Sequence, residues 1–170
     1  MKKVLIITSH NCDDSELLYP YYRLIEENIE PVIASFEKGM VKAKYHFVID
    51  ADISVDEIDV SDYAGLILPG GLAPEKLRQN ANVINAVVTF NNAGKPIASI
   101  CHGQQILISA NTLKGKNATC YPGIKDDLIN AGAIYEDKCV VVCDNIVTSR
   151  RPDDLPYFMR EFIKKLNKIS

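Results

Sequence analysis

Cys101-His102-Gly103 sets a nucleophile, a proton carrier and a residue without a side chain in consecutive positions. The triplet follows the apolar run at residues 96–100 and opens a helical stretch at residues 104–110. A thiol at such a strand-to-helix turn has the arrangement of a nucleophile elbow. The first backbone N–H groups of the following helix are unpaired and carry partial positive charge, which favours thiolate, the reactive form of cysteine. A side chain at Gly103 would crowd the turn, and the N–H of His102 is free to act as an oxyanion donor.

Other residues gain meaning from this thiol. In open α/β sheets the ligand crevice lies beyond the carboxyl ends of the strands, so residues 10–16, Gly70-Gly71 and Cys101-His102 are candidate walls of one site. Gly71 would bring a second backbone donor, although the same dipeptide also suits a simple turn. Glu16 sits where carboxylates commonly serve a helix dipole. Beside Cys101, its protonated carboxyl would donate a hydrogen bond to the thiolate. Asp13 and Asp14 read as capping and loop residues. His10 ends the first strand and His46 falls in an expected hairpin. His102 can serve Cys101 as a base only if the ring folds back and a carboxylate orients it. Glu75 is the nearest candidate for that orienting role, within one chain or across a subunit boundary.

The elements that must position these residues follow from periodicity. Strands are expected at residues 3–8, 30–36, 65–68 and 96–100, with a turn at Gly39, a hairpin strand at 45–49 and an acidic linker at 50–62. Helices are expected at 14–28 with a kink at Pro20, at 74–93 with a break near Asn80, at 124–131 and at 153–168. A hairpin at 140–148 turns at Asp144-Asn145. This succession predicts a doubly wound, three-layer α/β/α sandwich with a mainly parallel sheet. The 170 residues, 47% of them hydrophobic, suit one domain.

Composition narrows the partners. A net charge of −3 without long like-charge runs argues against nucleic acid and anionic membranes. No segment approaches the ~18 apolar residues of a membrane span, and the first strand turns polar too soon for a signal peptide, so a cytoplasmic protein is expected. Five cysteines without a CxxC pair argue against a disulfide framework and a zinc ribbon. Neither metal nor cofactor is expected. Cys139 and Cys143 share one face of a strand-like run and read as core filling. Packing or solvated roles are also expected for Cys12 and Cys120.

Six ordered motifs carry a resemblance that runs nearly end to end. They are Glu16-Leu17-Leu18-Tyr19-Pro20, Leu68-Pro69-Gly70-Gly71, Ala73-Pro74-Glu75, Ala98 to Gly103, Tyr121 to Asp127, and Ser149-Arg150 with Pro152 and Asp154-Leu155. Together they resemble the PfpI-type intracellular protease family, within the superfamily of the Parkinsonism-associated deglycase. The resemblance implies a flavodoxin-like domain of the class I glutamine amidotransferase type. In it Cys101 is the nucleophile, Glu16 hydrogen-bonds its thiol, and Gly71 and His102 supply oxyanion donors. Tyr121 matches a tyrosine near the pocket. Glu75 would arrive from a neighbouring subunit to complete a triad, with dimers assembling into hexamers. Asp13, Leu72, Gln104 and Cys120 stand where the family more often has glutamate, arginine, proline and serine. Leu72 therefore removes a positive charge that would help to hold an anionic substrate.

The functional expectation is a cysteine-dependent hydrolase of peptidase type acting on a small carbonyl or peptide substrate. The alternative is a deglycase or glyoxalase acting on methylglyoxal or glycated adducts. A non-enzymatic alternative uses the same thiol as a redox sensor in a stress response.

Overall fold

The computed structural model describes residues 1–168. The chain runs β1 (Lys3–Ile7), α1 (Asp14–Glu26), β2 (Glu30–Ser35), β3 (Gly39–Lys42), β4 (Val48–Ala51) and β5 (Ile53–Ser54). It continues through β6 (Gly65–Leu68), α2 (Ala73–Leu77), α3 (Ala81–Asn92), β7 (Ile97–Ile100) and α4 (Gln104–Ser109). The last third holds β8 (Asn117–Ala118), α5 (Lys125–Asn130), β9 (Ile134–Tyr135), β10 (Val141–Cys143), β11 (Ile146–Ser149) and α6 (Leu155–Asn167). Seven strands form the central sheet in the order β10-β11-β7-β6-β1-β2-β5, parallel except for β10 against β11. Helices cover both sides, as expected of a flavodoxin-like sandwich: α1 packs with α6, while α4 gathers α2, α3 and α5.

Every residue of β6, β7 and β11 is buried, as is β1 after Lys3. Strands covered on both faces read as continuous apolar runs, which is why these elements were legible in sequence. Gly65 lets α6 lie close, since a Cβ there would meet Leu166 at 2.9 Å and Phe162 at 3.0 Å. From β1 the chain winds outward to β2 and β5; from β6 it winds the other way to β7 and β11. The switch point therefore lies between β1 and β6, where a crevice opens past the strand ends.

Several expectations change. Gly39 opens β3 rather than forming the hairpin turn, because Met40, Val41 and Lys42 alternate out, in and out against β4. The turn occupies residues 43–47, where Ala43 N–H donates to Phe47 O and His46 takes φ +77°. The acidic stretch at 50–62 is structured: it holds part of β4, all of β5 and two 3-10 turns, one closed by the Ser54–Glu57 capping box. Asn80 caps α3, separating it from α2 at the expected break. Cys139 and Cys143 do not fill the core; both are half-buried, Cys139 lies outside β10, and Val141 is the inward residue. The two-residue pair β8 and β9 is too short to show a sequence period. Among the described residues no helix is long and apolar enough to cross a membrane.

Candidate active site

The loops leaving β1 and β6 are laced together at the switch point. Asp13 N–H donates to Gly70 O at 3.3 Å, Leu72 N–H donates to Asn11 O at 2.8 Å, and Cys12 bridges to Gly71. Gly71 has φ +78°, and a Cβ there would run into Asn11 O and the Cys12–Asp13 backbone. Only glycine suits both the conformation and the contact. Gly70 is equally confined, because its Cβ would meet Glu16 Oε2 at 2.5 Å, Cys101 Cβ at 2.8 Å and His102 N at 3.0 Å.

Cys101 begins a 3-10 turn, Cys101–Gly103, directly after β7, with φ +63°. A non-glycine residue held in this left-handed region costs on the order of 1–3 kcal/mol, which the surrounding packing must offset. Gly103 permits the turn, since a Cβ there would strike Leu68 O and Ser99 Oγ. Behind it, Gln104 is fully buried. Its Nε2 donates to Thr119 O and Ser149 O, each at 2.8 Å, and its Oε1 accepts from Ser99 Oγ at 3.1 Å. One side chain thus ties the end of β7 to the segment after β8 and to the end of β11.

The elbow brings Nδ1 of His102 to 3.4 Å from Cys101 Sγ. The imidazole stacks on Tyr121, ring centres 4.8 Å apart, and Tyr121 N–H donates to Cys101 O at 3.3 Å. Burial, with Lys44 adding to it, holds His102 below its ordinary value, so the ring is neutral at neutral pH and able to accept a proton.

Glu16 is fully buried on α1, whose N-cap is Asp13. Its Oε2 accepts the Gly70 N–H at 2.7 Å. Burial first, then the charge of Asp13, pushes Glu16 up to about 8, against the pull of Gly70 N–H and Cys101. Glu16 therefore keeps its proton at neutral pH. Oε1 is buried without an ordinary hydrogen-bond partner, and a proton there has the neighbouring Cys101 thiol to donate to.

Cys101 is only 8% exposed, and burial is the main force raising its thiol, followed by the charge of Glu16 when ionised. The N–H groups of His102 and Gly71 act in the opposite sense. Burial and an ionised Glu16 thus oppose the pull that the elbow's N–H groups exert on the thiol. Thiolate formation here depends on Glu16 remaining neutral, because two negative charges cannot share so dry a site.

Five of the six expected site residues converge: Cys101, His102, Glu16, Gly71 and Tyr121 line one pocket of about 270 Å³. Glu75 does not join them. It lies exposed on α2, and among the described residues its carboxylate has no hydrogen bond or ion pair. Lys44, Tyr45 and Arg151 also line the pocket, none of them anticipated. Lys44 and Tyr45 arrive in the turn between β3 and β4, whose register the sequence reading placed differently. Asp14 anchors that turn, with Oδ2 accepting from Tyr45 N–H at 2.7 Å and Oδ1 from Phe47 N–H at 2.9 Å. A mainly parallel α/β sheet with a left-handed cysteine turn at its switch point, beside two backbone N–H groups and a buried carboxyl, has the layout of a nucleophile elbow.

The chain belongs to the DJ-1/PfpI family, which residues 2–165 match. It is 49% identical over 164 residues to a deglycase of Pyrococcus horikoshii, covering 96% of this chain and 99% of that protein. It is 48% identical over 164 residues to the deglycase PfpI of Pyrococcus furiosus, with the same coverage of each. Among solved structures, a two-domain Anabaena variabilis protein with DJ-1/ThiJ/PfpI-like and ferritin-like domains matches with a TM-score of 0.96 and 35% identity. That match covers 98% of this chain and 48% of the other, so the chain spans about half of the two-domain protein.

Proposed function

We propose that the protein is a cysteine-dependent enzyme that adds Cys101 to the carbonyl of a small dicarbonyl compound or an early glycated adduct. The observation that carries this reading is the convergence on Cys101 of the His102 ring, the buried Glu16 carboxyl and the backbone N–H groups of Gly71 and His102. Sγ attacks the aldehyde carbon, the carbonyl π electrons move to oxygen, and the N–H groups of Gly71 and His102 hold the oxyanion. Protonation gives a hemithioacetal. For methylglyoxal, His102 then takes the proton from the former aldehyde carbon to give an enediol and returns a proton to the neighbouring carbon, while the hydroxyl proton passes to the neighbouring oxygen, leaving a thioester that water cleaves to the hydroxy acid. Glu75 of a neighbouring subunit orients His102 in the working oligomer, which accords with its exposed carboxylate in the single chain.

The small pocket and the names of two close relatives put the deglycase reading ahead of the peptidase one. A peptidase remains the second reading, favoured by the exposed apolar rim of Tyr45, Leu72 and Tyr121, which suits a peptide side chain. A redox sensor fits less well with a thiol that burial raises and encloses. The test is hydroxy-acid release from methylglyoxal by the parent and by Cys101→Ser, alongside cleavage of fluorogenic peptides. Catalytic release lost in the variant, without peptide cleavage, supports the proposal. Release that survives the substitution, or peptide cleavage alone, overturns it.

A further inference from the structure

Lys44 and Arg151 come from opposite sides of the fold to the same small pocket as Cys101. Neither has an ion-pair partner among the described residues. Their backbones are nonetheless fixed. Lys44 N–H donates to Cys12 O at 2.8 Å, and Asp14 clamps the two turn positions beyond it. Arg151 follows Arg150, whose guanidinium is fully engaged by Asp154 and Asp137, and precedes Pro152. The Lys44 ammonium lies 5.2 Å from the centre of the adjoining Tyr45 ring and is felt electrostatically by both Glu16 and His102.

The pocket's own carboxyls offset these cations only in part. Asp13 Oδ1 is taken by Ser15 N–H, Ser15 Oγ and Glu16 N–H, as an N-cap. Glu16 is buried beneath the thiol and keeps its proton. Two cations and the capped Asp13 carboxylate therefore border a nucleophile in a space of about 270 Å³, and a small anion bonded to the reacting carbon would balance the remaining positive charge. Leu72, where the family more often has arginine, is exposed and contributes no charge.

We propose that Lys44 and Arg151 form a carboxylate subsite, so that Cys101 adds reversibly and most readily to small aldehydes or ketones carrying a carboxylate next to the carbonyl. The inference rests on Cys101 being the nucleophile. With an aldehyde acid the Sγ–C bond forms, the carbonyl π bond breaks, and the thiol proton ends on the former carbonyl oxygen. The carboxylate stays ionised against the two cations.

Paired alkylating agents of nearly equal size test this without any assay of turnover. Iodoacetate carries the carboxylate and iodoacetamide does not, so the ratio of their rates at Cys101, located by mass spectrometry and divided by the ratio for 2-mercaptoethanol, reads the subsite alone. Any general change in thiol reactivity cancels. The expected preference for iodoacetate is roughly tenfold, a few-fold from each partly solvated cation, and it falls towards unity in Lys44→Met/Arg151→Met and at high salt. Glyoxylate should likewise protect Cys101 from iodoacetamide better than methylglyoxal does.

A normalised ratio near unity with Cys101 readily labelled by iodoacetamide overturns the subsite and spares the nucleophile. Failure of iodoacetamide to label Cys101 overturns both. A preference absent in the parent but present in Glu75→Gln means that a neighbouring subunit's carboxylate occupies the cations, and the substrate role is then wrong.

Discussion

Nδ1 of His102 lies 3.4 Å from Sγ of Cys101, its immediate neighbour in the chain. Adjacent residues in a strand point to opposite faces, so this approach requires the chain to leave β7 at Cys101 itself. The φ of +63° accomplishes that, and Tyr121 then holds the ring by stacking. Replacing His102 with Asn should lower kcat by about 10²- to 10⁴-fold, the usual worth of a positioned acid–base group. The oxyanion N–H belongs to the backbone and survives the change. Steady-state kinetics with a circular-dichroism check of folding measures this; a kcat within threefold of the parent would remove His102 from the proton pathway.

Glu16 makes the site unstable in alkali. Its folded value of about 8 lies above the ordinary value of 4.5, so the folded chain holds this proton more tightly than the unfolded chain does. Stability from this group is complete below about 4.5 and is lost as pH rises through about 8. Glu16→Gln keeps an oxygen for the Gly70 N–H and removes the ionisation. The variant should gain on the order of a few kcal/mol over the parent at pH 9, with the gap closing towards pH 5. Urea denaturation at several pH values reads it directly. A pH-independent difference would mean that Glu16 is already ionised in the folded protein.

The two glycines after β6 should be intolerant in different ways. Gly70→Ala drives a methyl group against Glu16 and Cys101, separating the carboxyl from the thiol. Gly71→Ala must also leave φ +78° or bear the strain, and either response moves the N–H that faces Sγ. Losing one oxyanion donor costs about 10²- to 10³-fold in kcat. We expect that loss for Gly71→Ala with KM little changed. A variant affected only in KM would show that the Gly71 N–H serves ground-state binding instead.

Sequence legibility followed physical cause. The buried strands at 65–68 and 97–100 announced themselves because a doubly covered sheet needs unbroken apolar runs, and Cys101-His102-Gly103 because an elbow demands that composition. Lys44 and Arg151 were hidden, since nothing local marks a surface cation as facing a pocket. Their placement depends on tertiary bonds, from Asp14 to the hairpin turn and from Arg150 to Asp154. Glu75 stood out by residue type, yet a single chain leaves it in solvent. The helix N–H groups that favour thiolate are visible in a sequence, whereas the desolvation by neighbouring elements that opposes it is not.

Gln104, at a position where the family more often has proline, acts as a buried clamp for three strand exits. Gln104→Leu would fit the volume and strand the carbonyls of Thr119 and Ser149 without donors. Each buried group left unpaired costs about 1–3 kcal/mol, so a stability loss of roughly 2–6 kcal/mol is expected from chemical denaturation. Activity of the folded fraction should fall as well, because the Tyr121 and Arg151 loops begin at the clamped segments. Unchanged stability would indicate that water replaces the amide, and that the clamp does not hold the site.

If Glu75 completes a triad in a neighbouring subunit, Glu75→Gln and Cys101→Ser each inactivate the protein by damaging different halves of a shared site. Mixed oligomers should then recover activity. A Cys101 from the Glu75→Gln chain can meet a Glu75 from the Cys101→Ser chain, while the reciprocal site in the same pair is dead. With random pairing, about a quarter of sites should be restored, following the reciprocity of a two-fold interface. The experiment is unfolding and refolding of a one-to-one mixture, with each variant refolded alone as the baseline. Recovery well above either baseline requires Glu75 to act across the interface. Activity of Glu75→Gln equal to the parent would instead mean that His102 is oriented without it, by the stack on Tyr121 and the contact with Cys101 Sγ.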